Sequence, residues 1–145
     1  MNDLMLIDRV AMDFYARGKF LKSIRIRALD GVSIGLARGE SLALVGESGS
    51  GKTTLGRAAL RLLKPTGGRV FFNGEDVYEI PNSELKNFRK RAQCVFQDPY
   101  SSLNPRMTIG NAIMEPMQVH KILENDEKRK KKVEELLTRV SLDPA

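Results

Sequence analysis

The stretch Gly46-Glu47-Ser48-Gly49-Ser50-Gly51-Lys52-Thr53-Thr54 (GESGSGKTT) determines how the rest of this 145-residue chain is interpreted. Directly before it lies SLALV (41–45), a short and nearly continuous apolar run that is typical of a β-strand buried on both faces. After it, the apolar residues recur with the spacing of one helical stripe, at positions 55, 58, 59, 62 and 63. The sequence therefore predicts a strand, a glycine-rich loop and a helix in direct succession.

The loop has the spacing G-x-x-x-x-G-K-[ST], which Gly46, Gly51, Lys52 and Thr53 fill. Glycines allow successive backbone N–H groups to point into one concavity, and a helix beginning there adds the positive end of its dipole. In this motif the lysine reaches the β- and γ-phosphates, and the hydroxyl of the following residue binds Mg²⁺. We therefore predict a nucleotide-phosphate site rather than a chance turn. Its predicted residues are Gly46, Glu47, Ser48, Gly49, Ser50, Gly51, Lys52, Thr53 and Thr54.

The composition limits which kinds of partner, compartment and targeting segment fit this chain. The formal net charge is +6, which permits a nucleotide, a nucleic acid or an anionic membrane as partner without choosing among them. Cys94 is the single cysteine, so no internal disulfide can form and a reducing compartment fits. The N-terminus has acidic residues inside its short apolar stretch, unlike a secretory signal. No apolar run approaches the ~20 residues of a membrane-spanning helix.

A second apolar run, AQCVF (92–96), predicts another buried strand, with Cys94 as a small buried residue. Asp30-Gly31 predicts a turn within an N-terminal β portion. Thr108 is expected to cap a helix, and Val133 begins the apolar stripe of another. Lys128–Lys132 (KRKKK) is interpreted as a solvated helix face, with nucleic-acid or lipid contact as the alternative.

The stretches VFQDPYSSLNPRMTIG (95–110) and EPMQVH (115–120) resemble the ATPase subunits of bacterial oligopeptide and dipeptide ABC importers. ALDGVSIGLARGESLALVGESGSGKTTLGRAALRLLKPTGGRV (28–70) and VSLDPA (140–145) are similar to them as well. The resemblance implies an α/β fold: a P-loop NTPase core with an N-terminal antiparallel β portion and the start of a helical subdomain. It implies residues 1–106 as the nucleotide-binding core, and residues 107–145 as the beginning of the helical subdomain.

The resemblance also implies site residues, with ATP and Mg²⁺ as cofactors. Lys52 and Gln97 are expected to be catalytic, and Thr53 and Gln97 to contact the metal. A neutral amide such as that of Gln97 orients water and binds metal without adding charge. The family stacks adenine on an aromatic residue before the phosphate loop; Tyr15, in the pair Phe14-Tyr15, is the expected residue, with Phe20 as its rival.

The sequence contains no LSGGQ-like signature, no apolar strand ending in Asp-Glu and no switch histidine. We therefore expect the chain to correspond to the N-terminal part of such an ATPase, to leave apolar strand surface uncovered, and not to sustain turnover by itself. The implied partners are transmembrane permease subunits and a second ABC ATPase subunit, at the cytoplasmic face of the inner membrane, with no nucleic acid. A non-catalytic fragment of a truncated or split gene, or a soluble ABC ATPase acting on nucleic acid, are the alternatives.

Overall fold

A computed structural model describes residues 3–17, 23–98 and 102–144 of the chain. The chain divides into two compact units, Met1–Gln93 and Cys94–Ala145. Each unit is built around its own apolar cluster. The expected family boundary between residues 106 and 107 stays a prediction about the subdomains of the family fold.

A four-stranded antiparallel sheet forms most of the first unit. Its strands are β1 (Asp3–Arg17), β2 (Ser23–Ala37), β3 (Gly67–Phe72) and β4 (Glu75–Asp76). They lie in the order β2-β1-β3-β4, so the long first strand is central. In the register of the sheet, Ile7 lies opposite Ile34 on one side and opposite Val70 on the other. β-branched side chains in such cross-strand pairs pack well on a pleated surface.

The predicted turn at Asp30-Gly31 is wrong, because β2 continues through it as a β-bulge. Val10 pairs with Val32 and Met12 pairs with Leu29, so β2 carries one more residue than β1 over this interval. Gly31 takes φ +64°, in the left-handed region that favours glycine and that this type of bulge requires. The turn-forming dipeptide therefore bends and twists a continuous strand instead of ending it.

Two helices complete the first unit, α1 (Lys52–Ala59) and α2 (Leu85–Arg91). Leu55 and Ala58 of α1 join the apolar cluster of the sheet, as the predicted helical stripe requires. The helix is shorter than that stripe, since it ends at Ala59 and leaves Leu62 exposed. From α2, Phe88 contacts Phe72 edge to face, with ring centroids 5.5 Å apart. This geometry is a favoured one for aromatic pairs.

The two predicted buried strands are not formed. Both SLALV (41–45) and the described run from Ala92 to Phe96 are irregular, and Val45 and Val95 are 89% and 97% exposed. Cys94 is exposed as well, which contradicts the prediction that it is buried. A strand needs a neighbour to pair its backbone N–H and C=O groups, and none of the four described strands pairs with either run. The apolar surface of both runs is uncovered, as expected.

The second unit is a pair of helices, α3 (Ile109–Val119) and α4 (Asp126–Arg139). The predicted cap of α3 is confirmed, because Thr108 Oγ1 accepts a hydrogen bond of 3.2 Å from Asn111 N. The helices share a small core in which Met117, Val133 and Leu137 are buried. No helix within the described residues is long and apolar enough to cross a membrane.

The basic run on α4 is a solvated face whose charges are largely paired, as interpreted from the sequence. Lys128 pairs with Glu124, Arg129 with Asp126, Lys131 with Glu127, and Lys132 with Glu135. Each pair has i,i+3 or i,i+4 spacing. Three of them lie within α4, and the partner of Lys128 lies in the loop before the helix. This pairing leaves little free positive charge to attract an anionic polymer.

Candidate nucleotide-phosphate site

The side chain of Lys52 closes the glycine-rich loop upon itself. Its Nζ donates hydrogen bonds to the backbone oxygens of Gly46 and Glu47, at 2.8 and 2.6 Å, and to Ser50 Oγ at 3.2 Å. The loop also contains a backbone bond of 3.3 Å from Ser50 N to Glu47 O. A single ammonium group therefore lies across the concavity and fixes its curvature, with a positive charge where phosphate oxygens require one.

Gly51 joins the loop to both the helix and the sheet. It is the N-cap of α1 and takes φ +95°. A β-carbon at this position would lie 2.6 Å from Ala28 O and 3.0 Å from Leu29 Cδ2, both in β2. The last glycine of the motif therefore allows the loop to approach the backbone of the antiparallel sheet closely. At the other end of the loop, a β-carbon on Gly46 would lie 3.0 Å from Ser50 Oγ.

The N-terminus of α1 supplies the second element of an anion site. Lys52, Thr53 and Thr54 form its first turn, and the first regular helix bond recorded after the loop is Leu55 N to Gly51 O at 2.8 Å. The first N–H groups of a helix have no intrahelical acceptor and carry the positive end of the dipole. The Thr53 side chain is exposed beside them. These residues fit a bound triphosphate: a narrow glycine loop, one ammonium group and a free helix N-terminus.

The predicted adenine-binding aromatic residue lies on the hairpin of β1 and β2. Tyr15 pairs with Arg25 and is 67% exposed, and Phe14 pairs with Ile26 and is 41% exposed. Side chains alternate between the faces of a strand, so Phe14 shares the face of the buried Met12, which packs in the same cluster as α1. Tyr15 lies on the opposite face. Phe20, the rival residue, lies outside the described residues.

An ion-pair network that the sequence did not indicate lies on the face of Tyr15 and links the two strands of the hairpin. Asp13 accepts from Arg25 Nη2 at 2.6 Å and from Arg27 Nε at 3.1 Å. Its side chain is only 7% exposed, because the two guanidinium groups cover it. The hydrogen bond from Arg25 is the largest cause that lowers the pKa of Asp13 to about 2. The same bond raises the pKa of the Arg25 guanidinium. The alternation S-I-R-I-R (23–27) could have suggested this pairing, had the register been known.

Gln97, the remaining predicted site residue, belongs to the second unit. It is exposed in an irregular segment after Phe96. Its expected contacts with Mg²⁺ and the attacking water stay predictions. The residues that the structure brings together are thus those of the phosphate loop, where Glu47 and Ser48 are exposed on the outside and Lys52 lies across the inside.

Comparison with known proteins agrees with this geometry. The ABC transporter family matches residues 29–145. The chain is 50% identical over 121 residues to the oligopeptide transport ATP-binding protein AppF of Bacillus subtilis, covering 83% of this chain and 36% of that protein. It is 46% identical over 122 residues to the oligopeptide transport ATP-binding protein OppF of Streptococcus mutans, covering 84% and 40%. The chain therefore spans well under half the length of these relatives.

One structural neighbour is the dimeric structure of a post-hydrolysis state of the ATP-binding cassette MJ0796 bound to ADP and Pi. The TM-score is 0.76 at 26% identity, over 96% of this chain and 58% of that one. A second dimeric structure of the same cassette gives 0.70 at 25% identity, over 90% and 54%. The predicted fold class, the ABC ATPase version of the P-loop fold, is confirmed by these neighbours. The glycine-rich loop is closed by Lys52, and the family match covers most of this chain, residues 29–145. The chain therefore belongs to the ABC transporter family.

Proposed function

We propose that the chain is the ATP-binding portion of a subunit that powers import of peptides, or of related small solutes, across a bacterial inner membrane. The observation that carries this proposal is the loop at residues 46–52, closed by Lys52 at the N-terminus of α1. The printed names of the relatives, which are oligopeptide transport ATP-binding proteins, support the peptide class. ATP binding and hydrolysis, coupled to a permease, are the proposed source of work.

Within this proposal, each loop residue has a defined task. The backbone N–H groups from Gly49 to Thr54 surround the phosphates, and Lys52 holds charge beside the β- and γ-phosphates. Thr53 and Gln97 are the proposed protein ligands of Mg²⁺, which neutralises the phosphate charge when it is bound. Gln97 is further proposed to orient the attacking water. Sustained hydrolysis is expected to require a carboxylate base that this sequence does not contain.

For the adenine ring, we propose Phe14 in preference to Tyr15. Phe14 lies on the strand face of Met12, which packs in the same apolar cluster as α1, whereas Tyr15 lies on the face of the arginine network. Phe14→Ala should weaken Mg·ATP binding about tenfold, in line with one lost stacking contact, and leave Mg·tripolyphosphate binding unchanged. Tyr15→Ala is the matched control and should change neither. Loss of ATP affinity in Tyr15→Ala with no loss in Phe14→Ala would restore Tyr15 as the stacking residue.

The proposed partners are transmembrane permease subunits and a second ABC ATPase subunit, in a homo- or heterodimer. The cassette structures that resemble this chain are titled as dimeric, which supports the second of these. Such an assembly would place the chain peripherally on the cytoplasmic face of the inner membrane. The names of the relatives and the paired charges of α4 do not favour a nucleic-acid partner.

Peptide uptake by cells tests this function. Cells in which the gene encodes Lys52→Ala should lose accumulation of a radiolabelled oligopeptide that the parent strain takes up. Lys64→Ala, a change at an exposed lysine in the loop after α1, is the matched control and should leave uptake at the parental level. Unchanged uptake in the Lys52→Ala strain would contradict the proposed transport function.

A further inference from the structure

The hydroxyl of Tyr78 contacts the C-terminal end of α1, the helix that begins at the phosphate loop. Tyr78 Oη donates to Ala58 O, at 2.7 Å, and its proton is shared with Leu63 O. Ala58 O also accepts a hydrogen bond of 3.1 Å from Arg61 N, so the hydroxyl adds a second donor to a carbonyl group near the end of the helix. Tyr78 is therefore an added cap on a helix whose opposite end carries Lys52 and Thr53.

The segment that carries Tyr78 is itself fixed to the sheet. We name residues 76–80 the clasp. Val77 is fully buried and its N–H donates to Val70 O of β3 at 2.9 Å. The backbone N–H of Tyr78 donates to Asp76 Oδ1 at 2.9 Å, which fixes the direction of the tyrosine. The clasp thus connects β3 directly to the C-terminal end of α1.

A second contact of the clasp reaches the same end of α1. Arg61 follows the helix with φ +55°, in the left-handed region that closes many helices but that suits glycine better than arginine. Its Nη1 donates to Ile80 O at 2.9 Å. The side chain of Arg61 therefore bonds this strained residue to the clasp.

Apolar packing alone holds α1 weakly. The helix has eight residues, and Leu55 and Ala58 are its buried side chains. Contacts of this kind are non-directional, so they restrain sliding and rotation of a short helix poorly. Hydrogen bonds at one end of the helix restrain both motions, because they require particular distances and angles.

We propose that Tyr78 is a positioning residue of the nucleotide-phosphate site: its hydroxyl fixes α1 along its axis and so places Lys52 and Thr53 against the bound phosphates. This inference rests on the proposed function. It requires a neutral tyrosine, and burial raises the pKa of Tyr78 to about 12, so the hydroxyl stays a donor over the whole range in which proteins are assayed. Small displacements at a phosphate site are costly because its contacts are short and directional.

Mg·ATP titration of the full chain, at a temperature well below unfolding, tests the inference. Tyr78→Phe removes one oxygen atom and keeps the ring. We expect its dissociation constant for Mg·ATP to rise about three- to tenfold, the equivalent of one hydrogen bond. Phe88→Leu is the matched control: it shortens a buried side chain of α2, outside both the clasp and α1, and lowers the melting temperature, yet leaves the hydroxyl contact in place. It should bind Mg·ATP within about twofold of wild type.

Each outcome decides the inference. An affinity of Tyr78→Phe within about twofold of wild type overturns it, and so does an equal loss in Phe88→Leu, which would show that stability alone is measured. If Tyr78→Phe does not fold, Tyr78→Met replaces it, because methionine fills irregular apolar space and lacks the hydroxyl. Unchanged affinity in Tyr78→Met also overturns the inference. If folded wild-type chain does not bind Mg·ATP, the proposed function fails instead.

Discussion

Two glycine-to-alanine substitutions, one at the N-cap of α1 and one in its interior, should have opposite effects on stability. At Gly51, φ is +95° and a β-carbon would lie 2.6 Å from the backbone oxygen of Ala28. Gly56 is in the helix interior and has no positive φ, and beyond its chain neighbours and its own helix backbone no atom lies within 4 Å of the position of a β-carbon. A methyl group added at Gly51 therefore clashes with the backbone, whereas one added at Gly56 is accommodated.

The magnitudes follow from these surroundings. Holding alanine in a left-handed conformation costs about 1–3 kcal/mol, and displacing a backbone oxygen adds about 1 kcal/mol more. Gly51→Ala should therefore destabilise the first unit by about 2–4 kcal/mol. Gly56→Ala should stabilise it by about 0.5–1 kcal/mol, the difference in helix propensity. At about 4–8 °C per kcal/mol, the two variants should melt on the order of 15 °C apart.

Thermal unfolding followed by circular dichroism at 222 nm measures this difference directly. Mg·ATP titration of the same samples should show binding by Gly56→Ala and none by Gly51→Ala, whose loop no longer closes against β2. If both variants melted within about 3 °C of one another, the close contact between Gly51 and Ala28 would be absent in solution, contrary to this prediction.

Two further predictions concern the hairpin and the second unit. Asp13 has its pKa lowered from 3.8 to about 2 by Arg25, so its contribution to stability is present above pH ~4 and is lost as the pH falls toward 2. Asp13→Asn should therefore be less stable than wild type in urea at pH 7, and the difference should shrink toward pH 2; a constant difference would contradict the ion pair. Thr108→Ala should lower the stability of the second unit by about 1 kcal/mol, whereas Thr138→Ala, which lacks a capping contact, should change it by less than about 0.5 kcal/mol. Equal losses in urea-induced unfolding would show that the cap of α3 contributes nothing.

The closed glycine-rich loop and the helix that follows it were predictable from sequence because their causes are local. Glycine spacing, the lysine and the start of a helix all lie within Gly46–Thr54, and each is a direct consequence of residue type. The cap at Thr108 and the stripe around Val133 are local for the same reason. Resemblance of motifs to a family gave the fold class, which the neighbours confirm.

The rest depends on partners distant in sequence. The runs at 41–45 and 92–96 have the composition of buried strands, yet burial requires neighbouring strands that neither run has among the described residues. Asp30-Gly31 has the sequence of a turn because turns and β-bulges both use a glycine in the left-handed conformation. Only the pairing register of β1 with β2 distinguishes the bulge from a turn here. Tyr78 and Asp13 carry no motif at all. Their contacts depend on a cross-strand register and on the end of a helix about twenty residues away.

We propose that residues Gly46 to Thr54 bind the phosphates of a nucleotide through Lys52. Isothermal titration calorimetry with Mg·ATP, on the wild-type chain and on Lys52→Ala, measures this binding. We expect saturable binding by the wild-type chain and an affinity at least about a hundredfold lower in the variant, since two charge-assisted contacts with the phosphates disappear. Undiminished affinity of the Lys52→Ala variant for Mg·ATP would contradict it.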